Sequence, residues 1–98
     1  MFAILYDEAA EDDLRGLRAF EVRRILDDVE AQLTREPMHP TRRRKLLESL
    51  VPPWDSTRPV RQLRVGGFRV FYEVDEDSRR VIVRAIRRKG RNRTEDIL

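Results

Sequence analysis

Ninety-eight residues, 40% of them apolar, suffice for one modest core and leave no room for a cofactor domain beside a substrate domain. Charged residues also make up 40%, but 21 basic and 18 acidic groups nearly cancel to +3, and that balance excludes a disordered polyelectrolyte. There is no cysteine, hence no disulfide, thiolate nucleophile or Cys-based zinc site, and the lone His39 sits in the loop-like Pro37-Met38-His39-Pro40, which excludes Ser-His-Asp chemistry in practice.

Phe2 to Tyr6 is apolar and partly aromatic and reads as a strand. Asp7 is a good N-cap for the helix that follows, in which Ala9, Ala10, Leu14 and Leu17 share a face. Glu8, Glu11, Asp12 and Asp13 suit the positive N-terminal end of that helix. The apolar phase shifts near Gly16 to Phe20. A second helix then carries Phe20, Val22, Ile25, Leu26, Val29 and Leu33 at helical intervals until Pro37 stops it.

From Pro37 to Pro59 the connection is long for so small a chain, which predicts a functional loop or a hidden element. The reading places a short helix over Arg42 to Leu50, capped by Thr41, with Leu46, Leu47 and Leu50 as its apolar contacts. Pro52-Pro53 ends it, and Trp54 is expected to pack against the body of the protein rather than to stack on a base.

The last forty residues predict a β-meander. Val60 to Val65 and Phe68 to Val74 flank Gly66-Gly67, a two-residue hairpin signal, and Val81 to Ile86 follows the acidic turn Asp75-Glu76-Asp77-Ser78. That turn reads as solvated rather than metal-binding. Strict alternation sends Leu63, Val65, Phe68, Val70, Tyr72, Val74, Val81, Val83 and Ala85 to the core. It leaves Gln62, Arg64, Arg69, Phe71, Glu73, Ile82, Arg84 and Ile86 on an open face.

Charge divides along the chain. Residues 1–36 hold ten acids and five bases, and residues 37–98 hold eight acids and sixteen bases. Between Arg79 and Arg93 eight of fifteen residues are basic and none is acidic, so one surface attracts polyanions. No apolar run reaches membrane length, and the opening residues run into Asp7 and Glu8 without a leader pattern, so a cytoplasmic protein with no membrane partner is expected.

The stretch Leu63-Arg64-Val65-Gly66-Gly67-Phe68-Arg69-Val70-Phe71-Tyr72-Glu73-Val74, then Val81 to Ile86 and Lys89, resembles the RelE/ParE superfamily of bacterial toxins. The resemblance extends to the opening strand, Asp13-Leu14, Leu17, Leu33, Pro37 and Lys45-Leu46. It implies an α+β fold with two N-terminal helices packed on one face of a small antiparallel four-stranded sheet, in the order β-α-α-β-β-β, over residues 1–98 as one toxin domain. It also implies the toxin of a type II toxin–antitoxin system, neutralised by an antitoxin encoded in an adjacent gene. RelE-like members cleave ribosome-bound messenger RNA without metal or cofactor, whereas ParE-like members inhibit DNA gyrase, and a decayed toxin would keep only antitoxin binding.

By the same resemblance Arg69 aligns with a phosphate-binding arginine, Arg64 with another basic strand residue, and Lys89 or Arg91 with the arginine after the last strand. These four are the candidate catalytic residues. Lys45, Arg61, Arg84, Arg87, Arg88 and Arg93 are candidate RNA or phosphate contacts. Two departures stand out: Gln62 replaces a lysine expected to serve as base, and Arg93-Thr94-Glu95-Asp96 lacks the expected aromatic. A guanidinium is a poor base. Glu73, Lys45, Lys89 and Glu95 are the alternatives, and Arg69 has a competing role as an ion-pair partner of Glu73.

Overall fold

The computed structural model describes residues 1–91 and 97–98. Its elements run β1 (Ala3–Tyr6), α1 (Glu8–Arg15), α2 (Ala19–Leu33), β2 (Arg44–Leu47), β3 (Val60–Val65), β4 (Phe68–Asp75) and β5 (Arg80–Arg88). Asp7 caps α1 as expected, its carboxylate accepting from the Ala10 N–H at 2.9 Å. At the start of α2 the Glu21 carboxylate accepts from the Arg18 N–H at 3.0 Å and from Arg88 at 2.8 Å. The Arg18 bond first, and Arg88 after it, hold the Glu21 carboxyl below its ordinary pKa.

Five strands form one sheet in the order β1-β5-β4-β3-β2, with β1 parallel to β5 and every other pair antiparallel. This corrects the four-stranded antiparallel expectation on two counts. The first strand returns beside the last after the helices, which alternation within a strand does not reveal. The added strand is β2, where a helix was expected over Arg42 to Leu50. Leu46, Leu47 and Leu50 match helical spacing, but Lys45 and Leu47 pair with Gln62 and Val60 of β3 instead. Long-range pairing overrides the local pattern here.

Both helices cover one face of the sheet. Ala10, Ile25, Val29 and Leu33 share a buried core with Leu63, Val65, Phe68, Val70, Tyr72, Val81, Val83 and Ile86. Arg44, nearly buried, donates to the carbonyls of Gln32 (2.7 Å) and Glu36 (2.6 Å) and so satisfies the C-terminal end of α2. Tyr72 donates to the Pro37 carbonyl at 2.7 Å, tying the start of the connection between α2 and β2 to β4. The hairpin tip falls on Gly66-Gly67, and Gly66 adopts φ +55°, a left-handed conformation that favours glycine.

The far face is not open. Val60, Phe71 and Ala85 form a second small core there, covered by Leu47, Leu50, Trp54, Ile97 and Leu98. Phe71 is fully buried, and so is Glu73, which accepts from Trp54 Nε1 at 2.7 Å. Trp54 therefore packs, as expected, but on the side opposite the helices. A β-bulge between β4 and β5 corrects the face assignment further. Phe71 pairs with Ala85 and Tyr72 with Val83, so Arg84 is the extra residue. Past it the alternation inverts: Ala85 joins the far face and Ile86 the helix-side core. Neither Phe71 nor Ile86 is exposed, and Ile82 is half-buried.

Candidate functional site

The part of the far face left bare by the Trp54 segment is a cleft of about 170 Å³ at the hairpin end of β3 and β4. It is lined by Arg42, Arg43, Lys45, Gln62, Arg64, Arg69 and Lys89. Three register facts assemble it. Arg64 and Arg69 are direct cross-strand partners beside the Gly66-Gly67 turn. Lys45 lies opposite Gln62. The Lys89 N–H donates to the Gly67 carbonyl at 2.9 Å, which brings the end of β5 to the turn.

Electrostatics follow from that lining. The described residues that line it include no carboxylate, so their cations add rather than cancel. Arg69 donates from Nη1 to the Phe68 carbonyl (2.8 Å) and the Gly66 carbonyl (3.0 Å), which fixes its guanidinium against the turn. Burial first, and then the Arg64 charge, pull its pKa below the ordinary guanidinium value. Arg69 is not the partner of Glu73. That carboxylate faces Trp54 and Arg84 instead, with Arg84 Nη1 3.7 Å away.

Arg43 has a different task. It pairs with Asp28 of α2 at 2.6 Å and donates from Nε to the Arg64 carbonyl at 3.0 Å, while its own carbonyl accepts from the Arg64 N–H at 2.7 Å. It thereby anchors the Arg64 backbone to the helix layer. Neither Arg42 nor Arg43 was singled out by sequence, because their segment read as a helix and its pairing with β3 is invisible locally.

The other candidates lie elsewhere. Arg61 sits on the helix side and donates to the Met38 carbonyl at 3.1 Å. Arg84 has Nε 2.8 Å from Asp7 Oδ2 and stacks on Trp54 at 5.2 Å. Arg87 pairs with Asp13, whose carboxylate also accepts from the Ile86 N–H. Arg88 pairs with Glu21 and lies over the Phe68 ring at 4.7 Å. Arg91 is exposed beyond the cleft lining. Arg93 and Glu95 lie outside the described residues. Of the candidates, then, the fold gathers Lys45, Arg64, Arg69 and Lys89 into one place.

Among the described residues no group of three or more His, Asp or Glu side chains is placed to hold a metal ion, and no helix is long and apolar enough to cross a membrane. What the cleft can do is hold a phosphate and stabilise negative charge developing on it.

The family model of the ParE toxin of the type II toxin-antitoxin system, parDE, matches residues 4–93. No curated protein sequence matches the chain. Among solved structures, the archaeal RelE-RelB complex of Pyrococcus horikoshii OT3 contains a chain similar to this one, at 19% identity and TM-score 0.70, covering 92% of this chain and 97% of that chain. The toxin-antitoxin complex RelBE2 of Mycobacterium tuberculosis gives 20% identity and TM-score 0.66, covering 87% of this chain and 94% of that chain. The isolated RelE toxin of E. coli gives 17% identity and TM-score 0.61, covering 98% and 93%. At these identities the likeness is one of fold.

Proposed function

The chain belongs to the ParE toxin family of type II toxin–antitoxin systems, within the RelE/ParE superfamily, and from that premise we propose that it arrests growth as a metal-independent endoribonuclease acting on ribosome-bound messenger RNA. The observation that carries this reading is the convergence of Lys45, Arg64, Arg69 and Lys89 in one cleft. Metal-free RNA cleavage forms a bond from the 2′-oxygen to phosphorus and breaks the bond to the 5′-oxygen. The extra negative charge on the phosphoryl oxygens is greatest in between. Two guanidiniums at one register position are suited to that charge, because each can bind phosphate bidentately.

The reaction also needs a group to take the 2′-proton and one to return a proton to the 5′-oxygen. Glu73 is withdrawn from the first role by burial and by its bond to Trp54. Lys45 and Lys89 are the lining side chains whose chemistry permits proton exchange, since arginine titrates above about 12. They are the assigned proton carriers. The partner proposed to silence the toxin is an antitoxin from an adjacent gene, a reading supported by the toxin-antitoxin complexes among the structures of like fold.

A second reading, inhibition of DNA gyrase by the same cationic surface, is supported by the ParE family model and by the lack of a His or carboxylate among the described residues that line the cleft. One experiment separates the two. Induction of the chain without antitoxin, followed by primer extension on cellular messages, yields cuts within codons if the nuclease reading holds. Intact messages accompanied by DNA breaks and an SOS response overturn it in favour of gyrase inhibition.

A further inference from the structure

A groove of about 630 Å³ runs along β2 and the turn after it, lined by the consecutive residues Lys45 to Val51. Its apolar walls are Leu46, Leu47, Leu50 and Val51. Leu46 is 37% exposed and Val51 89%. A single exposed apolar side chain needs no explanation, but two in one concave surface beside Leu47 and Leu50 form a recess that water does not stabilise.

Lys45 joins this groove to the cationic cleft, because it lines both. A strand whose phosphate rests between Arg64 and Arg69 therefore meets an apolar recess one side chain away. A nucleotide needs that layout, with cations for its phosphate and an apolar wall for the flat face of its base. The backbone contributes as well. The Arg43 carbonyl accepts from Arg64, so the odd-numbered residues of β2 turn their polar groups toward β3. Arg44 turns its own back to Thr41. Leu46 consequently directs its N–H and C=O to the outer edge of an edge strand, where they can pair with the edge of a base.

We propose that the groove is a nucleobase subsite, which takes the base flanking the phosphate held by Arg64 and Arg69 in single-stranded RNA. The inference rests on the RNA-binding reading of the cleft and adds to it a source of sequence preference.

The test compares binding of a short single-stranded RNA with binding of an abasic ribose-phosphate strand of equal length, by fluorescence anisotropy on the purified toxin. The unaltered protein should prefer the RNA by at least about threefold, the scale of partial apolar burial of one base against aliphatic walls. The doubly substituted Leu46→Ser, Val51→Ser protein, altered only at exposed positions and checked by its melting curve, should lose that preference while still binding the abasic strand. Equal binding of both strands by the unaltered protein overturns the subsite and leaves the cleft reading standing. Binding of neither strand overturns both. A preference that survives the double substitution, with antitoxin binding lost, makes the groove a peptide dock and overturns the proposal.

Discussion

Arg64 and Arg69 occupy one register position on opposite strands of the β3–β4 hairpin, so two like charges meet where an opposite-charge pair would favour folding. Arg69 is further held by its bonds to the Gly66 and Phe68 carbonyls. A sheet that keeps such a pair at the mouth of a cleft has the electrostatics of an anion site. Arg69→Ala should abolish growth arrest and lower the rate of message cleavage by roughly 10²–10³-fold, the usual effect of removing a charge that stabilises a transition state. Stability should change by no more than about 0.5–1 kcal/mol, because relief of repulsion offsets the lost turn bonds. Codon-resolved primer extension and a thermal melt check both statements. Undiminished arrest by a folded variant would remove Arg69 from the mechanism.

Glu73 is fully buried on the same strand as Arg69. Its carboxylate accepts from Trp54 Nε1 at 2.7 Å, and Arg84, which also lies 2.8 Å from Asp7, approaches it on the far face. The arrangement pins the Trp54 segment over Phe71. Glu73→Ala leaves the indole N–H without its acceptor while Arg84 keeps Asp7, and should cost about 1–3 kcal/mol. Glu73→Gln keeps an acceptor for the indole and should cost less. Denaturant melts of the two variants provide the comparison, and equal, small losses would mean that the network does not hold the segment down.

Two tyrosines make the fold sensitive to alkali. Burial, with Glu30 as a smaller contributor, pushes the Tyr6 hydroxyl up to about 12, and burial does the same for Tyr72, which donates to Pro37. In the unfolded chain both titrate near 10.0. The native state then binds more protons between those values, so stability is fully present below about pH 10 and falls as pH rises toward 12. The double variant Tyr6→Phe, Tyr72→Phe should flatten that fall. Tyrosinate absorbance, followed alongside unfolding, shows whether ionisation and loss of structure coincide.

Much of this architecture is written in local pattern. Asp7 announces α1, the Ile25-Val29-Leu33 stripe announces the packed face of α2, and Gly66-Gly67 announces the hairpin that sets Arg64 against Arg69. Those signals lie within a few residues of their consequences. The features that escape a sequence reading depend on distant partners. Arg44 to Leu47 becomes a strand because β3 offers an edge, and β1 lies parallel to β5 because the helices carry the chain back. Arg42 and Arg43 reach the cleft only through that pairing. Arg87 and Arg88 look like part of one basic run, yet Asp13 and Glu21 on the helices take them away from it. The bulge at Arg84 is a single inserted residue that inverts the faces after it, and nothing in the alternation of Val81 to Ile86 marks where the insertion falls.

That bulge yields the last prediction. With Arg84 as the extra residue, Ile86 enters the helix-side core and is 5% exposed, whereas Ile82 stays on the far face and is half-buried. Uninterrupted alternation would put the two isoleucines on the same face with similar surroundings. Ile86→Ala should therefore cost about 2–4 kcal/mol through lost transfer and cavity terms. Ile82→Ala, with part of its side chain already in water, should cost about 1–2 kcal/mol. Deleting Arg84 should remove the bulge and leave Ala85, Ile86 and Arg87 opposite Phe71, Val70 and Arg69 as before, so Ile86 keeps its place in the helix-side core. Urea melts of the two alanine variants, measured side by side, decide the matter: equal losses, or a larger loss at Ile82, would mean that β4 and β5 pair without the bulge.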